Sequence, residues 1–148
     1  MAVIKPNFTK ADISKMLADR VKLIESAIIL SLQRVGEEFV RDCRERGSYQ
    51  DRTGNLRSST GYVILQNGQQ IFGSGFDQIK EGKDGATAGK KLIEGLKTQF
   101  PTGFVLIGVA GMNYAAFVET KGLDVITGSS ITAMESLKKA LARLNKKI

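Results

Sequence analysis

The chain has 148 residues, a net charge of +7, 42% hydrophobic and 25% charged residues, one cysteine and no histidine. That length buries a sizeable core as one domain, residues 1–148, without disulfide or metal staples. The missing histidine removes the usual general base and the commonest metal ligand. Ser-His and Cys-His nucleophile pairs are thereby excluded within one chain, and no cofactor or metal is expected.

The opening residues, MAVIKPNFTKADI, hold no apolar run long enough for a signal peptide. No window approaches the roughly 18 to 20 apolar residues of a membrane span, so a protein made in the cytoplasm is expected. Thr9 to about Arg46 reads as one long helix, with Thr9 as N-cap and Asp12 in the capping-box position. Ile13, Leu17, Val21, Ile24, Ile28, Leu32, Val35 and Phe39 recur at the helical period, and Lys15, Asp19, Lys22, Gln33, Glu37 and Arg44 mark the opposite face. At about 1.5 Å per residue the helix runs on the order of 55 Å, longer than a core of this size covers. Ala27–Leu30 widens the apolar surface beyond the stripe, and Gly36 marks either a bend or a close approach.

Gly47–Asn55 (GSYQDRTGN) is a polar linker. Two strand-like runs, Ser59–Leu65 and Gln69–Phe72, flank Asn67-Gly68, the strongest short hairpin signal because type I′ turns need positive φ at both central positions. Gly73–Gly89, rich in glycine and charge, reads as a mobile loop. A helix over about Thr87–Gln99 follows. Phe104–Ala110 (FVLIGVA) is apolar on both faces, which predicts a central strand. Asn113–Glu119 (NYAAFVE) fits either a strand or a short helix. Ser129 or Ser130 caps a last helix to about Asn145, whose end is crowded by Lys138, Lys139, Arg143, Lys146 and Lys147. The predicted class is α+β: a long N-terminal helix and a C-terminal helix packed on a small, mostly antiparallel sheet.

Few residues carry reactive chemistry. Gly85-Ala-Thr-Ala-Gly89-Lys90-Lys91 falls one residue short of a phosphate loop and has Lys where Ser or Thr belongs. Asp51, Asp77, Glu81, Asp84, Glu94, Glu119 and Asp124 show no spacing that groups them into an acid/base pair. Glu119 ends an apolar segment and reads as a charge closing a structural element. Cys43 follows Phe39 at helical spacing and reads as a small core hydrophobe.

Two segments resemble the tail-completion, or head–tail joining, family of long-tailed bacteriophages. Asp51-Arg-Thr-Gly-Asn-Leu-Arg-Ser-Ser59 is similar to that family's R-T-G-x-L-R-x-S segment, and Asn113-Tyr-Ala-Ala-Phe-Val-Glu119 to its Y-A-x-x-V-E segment, arriving after the strand with Ile107-Gly108-Val109. The order of helix, first motif, hairpin, strand, second motif and helix also matches. Here Glu119 is followed by Thr120-Lys121-Gly122-Leu123 in place of the family's Gly-Thr pair. The resemblance implies a non-enzymatic virion protein made in the bacterial host. It would join other copies in a ring between the portal or connector and the tail tube or terminator, with DNA passing through without sequence-specific contact.

Gly54 permits a tight turn, Leu56 anchors the hairpin start, and Arg52 and Arg57 flank it as donors. Tyr114 and Phe117 supply apolar area. Arg52, Thr53, Gly54, Leu56, Arg57, Tyr114, Phe117 and Glu119 are therefore the candidate interface residues, with intramolecular packing the competing role. The alternative for the whole chain is a basic nucleic-acid-binding protein, for which the net charge and the basic C-terminus speak; only 7% of residues are aromatic, which disfavours a stacking platform.

Overall fold

A computed structural model describes residues 2–147. In chain order the elements are α1 (Lys10–Glu45), α2 (Asn55–Ser58), β1 (Thr60–Gln66), β2 (Gln69–Gly75), α3 (Lys83–Lys97), β3 (Phe104–Ala110), α4 (Ala115–Thr120) and α5 (Thr127–Lys147). The fold is α+β, with the N- and C-terminal helices against a three-stranded antiparallel sheet.

Helix α1 starts as its sequence dictates. The Thr9 hydroxyl accepts from the Asp12 N–H at 3.2 Å, and the Asp12 carboxylate accepts from the Thr9 N–H at 2.7 Å. These reciprocal bonds satisfy donors that a helix start leaves without partners. At 36 residues the helix spans about 54 Å. The hairpin turn also forms as expected, with φ of 51° at Asn67 and 81° at Gly68.

Sheet order is β2-β1-β3, so the expectation that β3 is central is corrected. The central strand is β1, which pairs with both neighbours and is buried from Thr60 to Leu65. Strand β3 is apolar on both faces for a different reason: helices cover both sides of the sheet. Val63, Leu65, Ile107 and Val109 pack with Ala86 and Ile93 of α3. On the other face Tyr62 and Ile64 pack with Leu32, Phe39, Val40 and Cys43 of α1, joined by Phe104, Leu106 and Leu137. Gly36 is the site of a close approach, since a methyl group there would strike the Tyr62 ring. Cys43 lies within this core, as expected, and burial pushes its thiol up to about 12.

The loop expected over 73–89 is also corrected. Strand β2 continues to Gly75 and α3 begins at Lys83, leaving only residues 76–82 between them. The misleading signal was glycine. Gly85 and Gly89 lie inside α3 because the helix presses on backbone: a methyl group at either would overlap the Asn55 or Ser59 carbonyl. The phosphate-loop echo therefore lies within a helix.

The molecule exposes 9962 Å². A compact monomer of its 16.1 kDa mass exposes roughly 7,400 Å², so the observed surface is about a third larger than expected. The surplus comes largely from an arm. Every residue of α1 from Lys10 to Leu23 is exposed, about 21 Å of helix, although the apolar stripe runs on through it. Met16 is 72% exposed and Leu17 62%. Helix α5 accompanies α1 as far as Arg20, whose guanidinium donates to the Lys147 carbonyl at 3.4 Å.

Candidate functional site

The linker after α1 folds back on itself before it enters α2. The Asp51 carboxylate accepts from the Gly54 N–H at 3.1 Å, closing a short turn. Gly54 has φ of 80°, a left-handed conformation that glycine adopts without cost, and the Ile79 carbonyl leaves no room for a methyl group. Ser58 Oγ then accepts from the Ile79 N–H at 2.7 Å, and Asn55 Oδ1 accepts from the Gly85 N–H at 2.9 Å. The first motif is therefore stitched to the α3 side through side-chain acceptors.

Leu56 is buried with Tyr49, Ala115 and Val125, and this small core is bordered by Val118, Leu123 and Ile126. The expected anchoring role of Leu56 is thus met, and the cluster around it includes Ala115 and Val118 of the second motif. Together the two motifs line one surface recess of about 200 Å³, formed by Tyr49, Gln50, Asp51, Arg52, Thr53 and Leu56 with Tyr114 and Val118. Burial pushes the Tyr49 phenol up to about 12 and raises that of Tyr114, with the Asp51 carboxylate adding to both. Asp51 is buried, yet its Oδ2 has no hydrogen-bond partner among the described residues, nor has Arg57 Nε.

Arg57 does not act as the expected donor. Its guanidinium lies 5.6 Å from the centre of the Tyr49 ring, a cation–π contact. The donor at the hairpin start is Arg44. Its Nε and Nη2 reach the Arg57 and Thr60 carbonyls, both at 3.3 Å, and Nη1 pairs with Asp77 at 3.4 Å. Helical period puts Arg44 on the polar face of α1; nothing local in the sequence signals that its long side chain reaches across to the sheet. Asp51, Tyr49 and Asn55 likewise escape the candidate set and prove structural at this site.

The second motif is a helix, which resolves the strand-or-helix alternative: α4 carries Ala115 inward and Phe117 outward. Lys121 Nζ sits 4.5 Å from the Phe117 ring centre. Glu119 points away from the recess toward α5. Its Oε1 accepts from the N–H groups of Val125, Ile126 and Thr127 at 3.0, 2.6 and 3.0 Å. Burial alone would raise this carboxyl, but the backbone donors, Ile126 foremost, outweigh it and hold the group below its ordinary value. Asp124 Oδ1 adds a bond from the Gly128 N–H at 3.0 Å. These carboxylates cap α5, so the expected Ser129 or Ser130 cap is corrected: the helix starts at Thr127 and both serines lie inside it.

Of the eight candidates, Arg52, Thr53, Leu56 and Tyr114 line one recess, and Gly54 and Arg57 support it from behind. Phe117 is exposed beside it, and Glu119 serves the next helix. Among the described residues no three Cys, Asp or Glu side chains are grouped to hold a metal ion, and no helix is long and apolar enough to cross a membrane. Comparison with protein-family models, curated proteins and solved structures returns no match for this chain.

Proposed function

We propose that the chain is a structural assembly protein of a tailed bacteriophage or prophage, a neck or tail-completion subunit that joins other copies in a ring between head and tail, and that it is not an enzyme. The observation that carries this reading is the convergence of the two motif segments, Arg52–Leu56 and Tyr114–Val118, on a single surface recess. Residues that meet from distant parts of the chain and leave Arg52, Thr53 and Tyr114 exposed form a surface a neighbour can recognise. The bare apolar arm of α1 supports the same reading. An exposed stripe with Met16, Leu17, Val21 and Leu23 is typical of a helix that acquires a partner. Head-to-tail contacts in a ring need two different patches per subunit, and the recess and the arm are two such patches.

Two measurements test the proposal. Purified protein is imaged by negative-stain electron microscopy for rings, and virions released by the encoding strain are searched for its peptides by mass spectrometry. Peptides in the virion at a few copies per particle support it. Particles that lack the chain, together with a protein that stays monomeric on sedimentation at tens of micromolar, sink it. Genes for portal, capsid and tail-tube proteins beside its own are expected.

A further inference from the structure

The antiparallel run of α1 beside α5 leaves a cleft of about 410 Å³ on one side of the helix pair. Its floor is small or apolar: Leu30, Ser31, Val35, Ser136 and Ala140. Its rim is cationic, with Arg34 on α1 facing Lys139 and Arg143 on α5, and Glu38 as the single acid lining it. All three cations are exposed. The ion pairs among the described residues join Arg41 and Arg46 to Asp42, Arg44 to Asp77 and Lys97 to Glu94, so none engages Arg34, Lys139 or Arg143.

Three unpaired cations converging from two helices repel one another unless an anion sits among them. Two are arginines, whose planar guanidinium forks match phosphate oxygens in bidentate fashion. Lys139 and Arg143 stand one helical turn apart, about 6 Å along α5, and Lys146 and Lys147 extend the positive run toward Arg20 at the far end of the pair. A row of cations at this spacing suits a row of phosphates better than a single small anion. No aromatic side chain lines the cleft, so bases have nothing to stack on and contact is confined to the backbone.

We propose that the α1–α5 cleft binds the phosphodiester backbone of duplex DNA without reading its sequence, through Arg34, Lys139 and Arg143. This site stands apart from the motif recess and holds whether or not the chain builds a neck ring.

The test is fluorescence anisotropy of a labelled random-sequence duplex of about 25 base pairs, titrated with full-length protein between 50 and 200 mM salt. Each phosphate contact contributes about 0.9 to the slope of log affinity against log salt. Removing three contacts with Arg34→Gln, Lys139→Gln and Arg143→Gln together is expected to weaken binding at about 50 mM salt by tenfold or more and to lower the slope by about 2 to 3. A control with the same charge change, Lys83→Gln, Lys90→Gln and Lys91→Gln on the exposed side of α3, is expected to lose less than threefold. Circular dichroism melts confirm that both variants fold. Equal losses in the two triple variants, or no duplex binding by the native chain at 50 mM salt, overturn the proposal. So does tighter binding of polyglutamate of matched charge than of the duplex at the same salt, which makes the cleft a protein-docking site, or displacement of the duplex by millimolar inorganic phosphate at constant ionic strength, which makes it a small-anion site.

Discussion

The carboxylate of Glu119 lies 2.6 Å from the backbone nitrogen of Ile126 and so closes the start of a helix that belongs to another part of the chain. Three orphan donors converge on one oxygen, which makes this a side-chain cap delivered from α4 rather than from the residue just before the helix. Glu119→Ala is expected to cost about 1–3 kcal/mol, lowering the melting temperature by several degrees. The carboxyl is held below its ordinary value, so its contribution is complete above the usual carboxylate range and is lost as pH falls through the depressed folded value. Native protein therefore loses stability on acidification more steeply than Glu119→Ala. Parallel melts at pH 7 and pH 3.5 with an unchanged difference between the two proteins would refute the capping role.

Arg44 ties α1 to the hairpin start through two backbone carbonyls. Arg44→Met removes both of these bonds, while the Thr60 carbonyl keeps the Phe76 N–H and the Arg57 carbonyl the Ser59 N–H, and is expected to cost about 1–2 kcal/mol in urea unfolding. Arg44→Lys recovers only part of this, because an ammonium does not reproduce the guanidinium fork. Full rescue by lysine would show that charge alone matters there.

Two glycines of the same helix answer oppositely to alanine. Gly95→Ala in α3 meets open space and is expected to stabilise by about 0.5–1 kcal/mol through helix propensity. Gly89→Ala forces a methyl group against the Ser59 carbonyl and the Phe76 ring, and is expected to destabilise by about 2 kcal/mol or more. Similar melting temperatures for the two variants would contradict the packing described for α3.

Leu56→Ala empties a buried site and is expected to cost about 2–5 kcal/mol. Leu17→Asp and Val21→Asp on the bare arm are expected to change monomer stability by under about 0.5 kcal/mol each, while abolishing rings or virion incorporation. Unfolding curves and electron microscopy of the same preparations separate the two effects.

Cys43 is shielded, and burial pushes its thiol up to about 12. It is expected to resist a disulfide reagent at pH 8 in the native state and to react at once in denaturant. Its neutral form is the one the fold favours, so this contribution is complete below the unfolded value near 8.5 and is lost as pH rises from there toward 12. Rapid native labelling at pH 8 would contradict the burial.

Much of the architecture is legible from pattern. The Thr9–Asp12 box, the Asn67-Gly68 turn and the long apolar period of α1 are local signals with local causes, and each element forms where its signal lies. The errors share another cause. Glycine in Gly73–Gly89 and double-sided apolarity in β3 each have two physical origins, and only tertiary packing distinguishes them. At the recess, Leu56 is visible as a large apolar residue inside a polar segment, and Tyr114 as a large side chain beside two alanines in the second resembling segment. Arg44 and the Glu119 cap depend on side chains reaching across elements, which no one-dimensional spacing records.

The apolar stripe of α1 passes from the core into open solvent without a break, so one helix contains two regimes of stability. Around Phe39, amide protons are held by the packing of the whole domain; between Lys10 and Val21 they are held by little more than helix propensity, which is marginal for so short a stretch in water. Amide exchange along this single helix therefore reads as a graded clock, fast at the tip and slow at the root. A neighbour seated on the tip would slow it there first. The arm thus reports its own engagement, residue by residue, in a measurement that needs no knowledge of what the neighbour is.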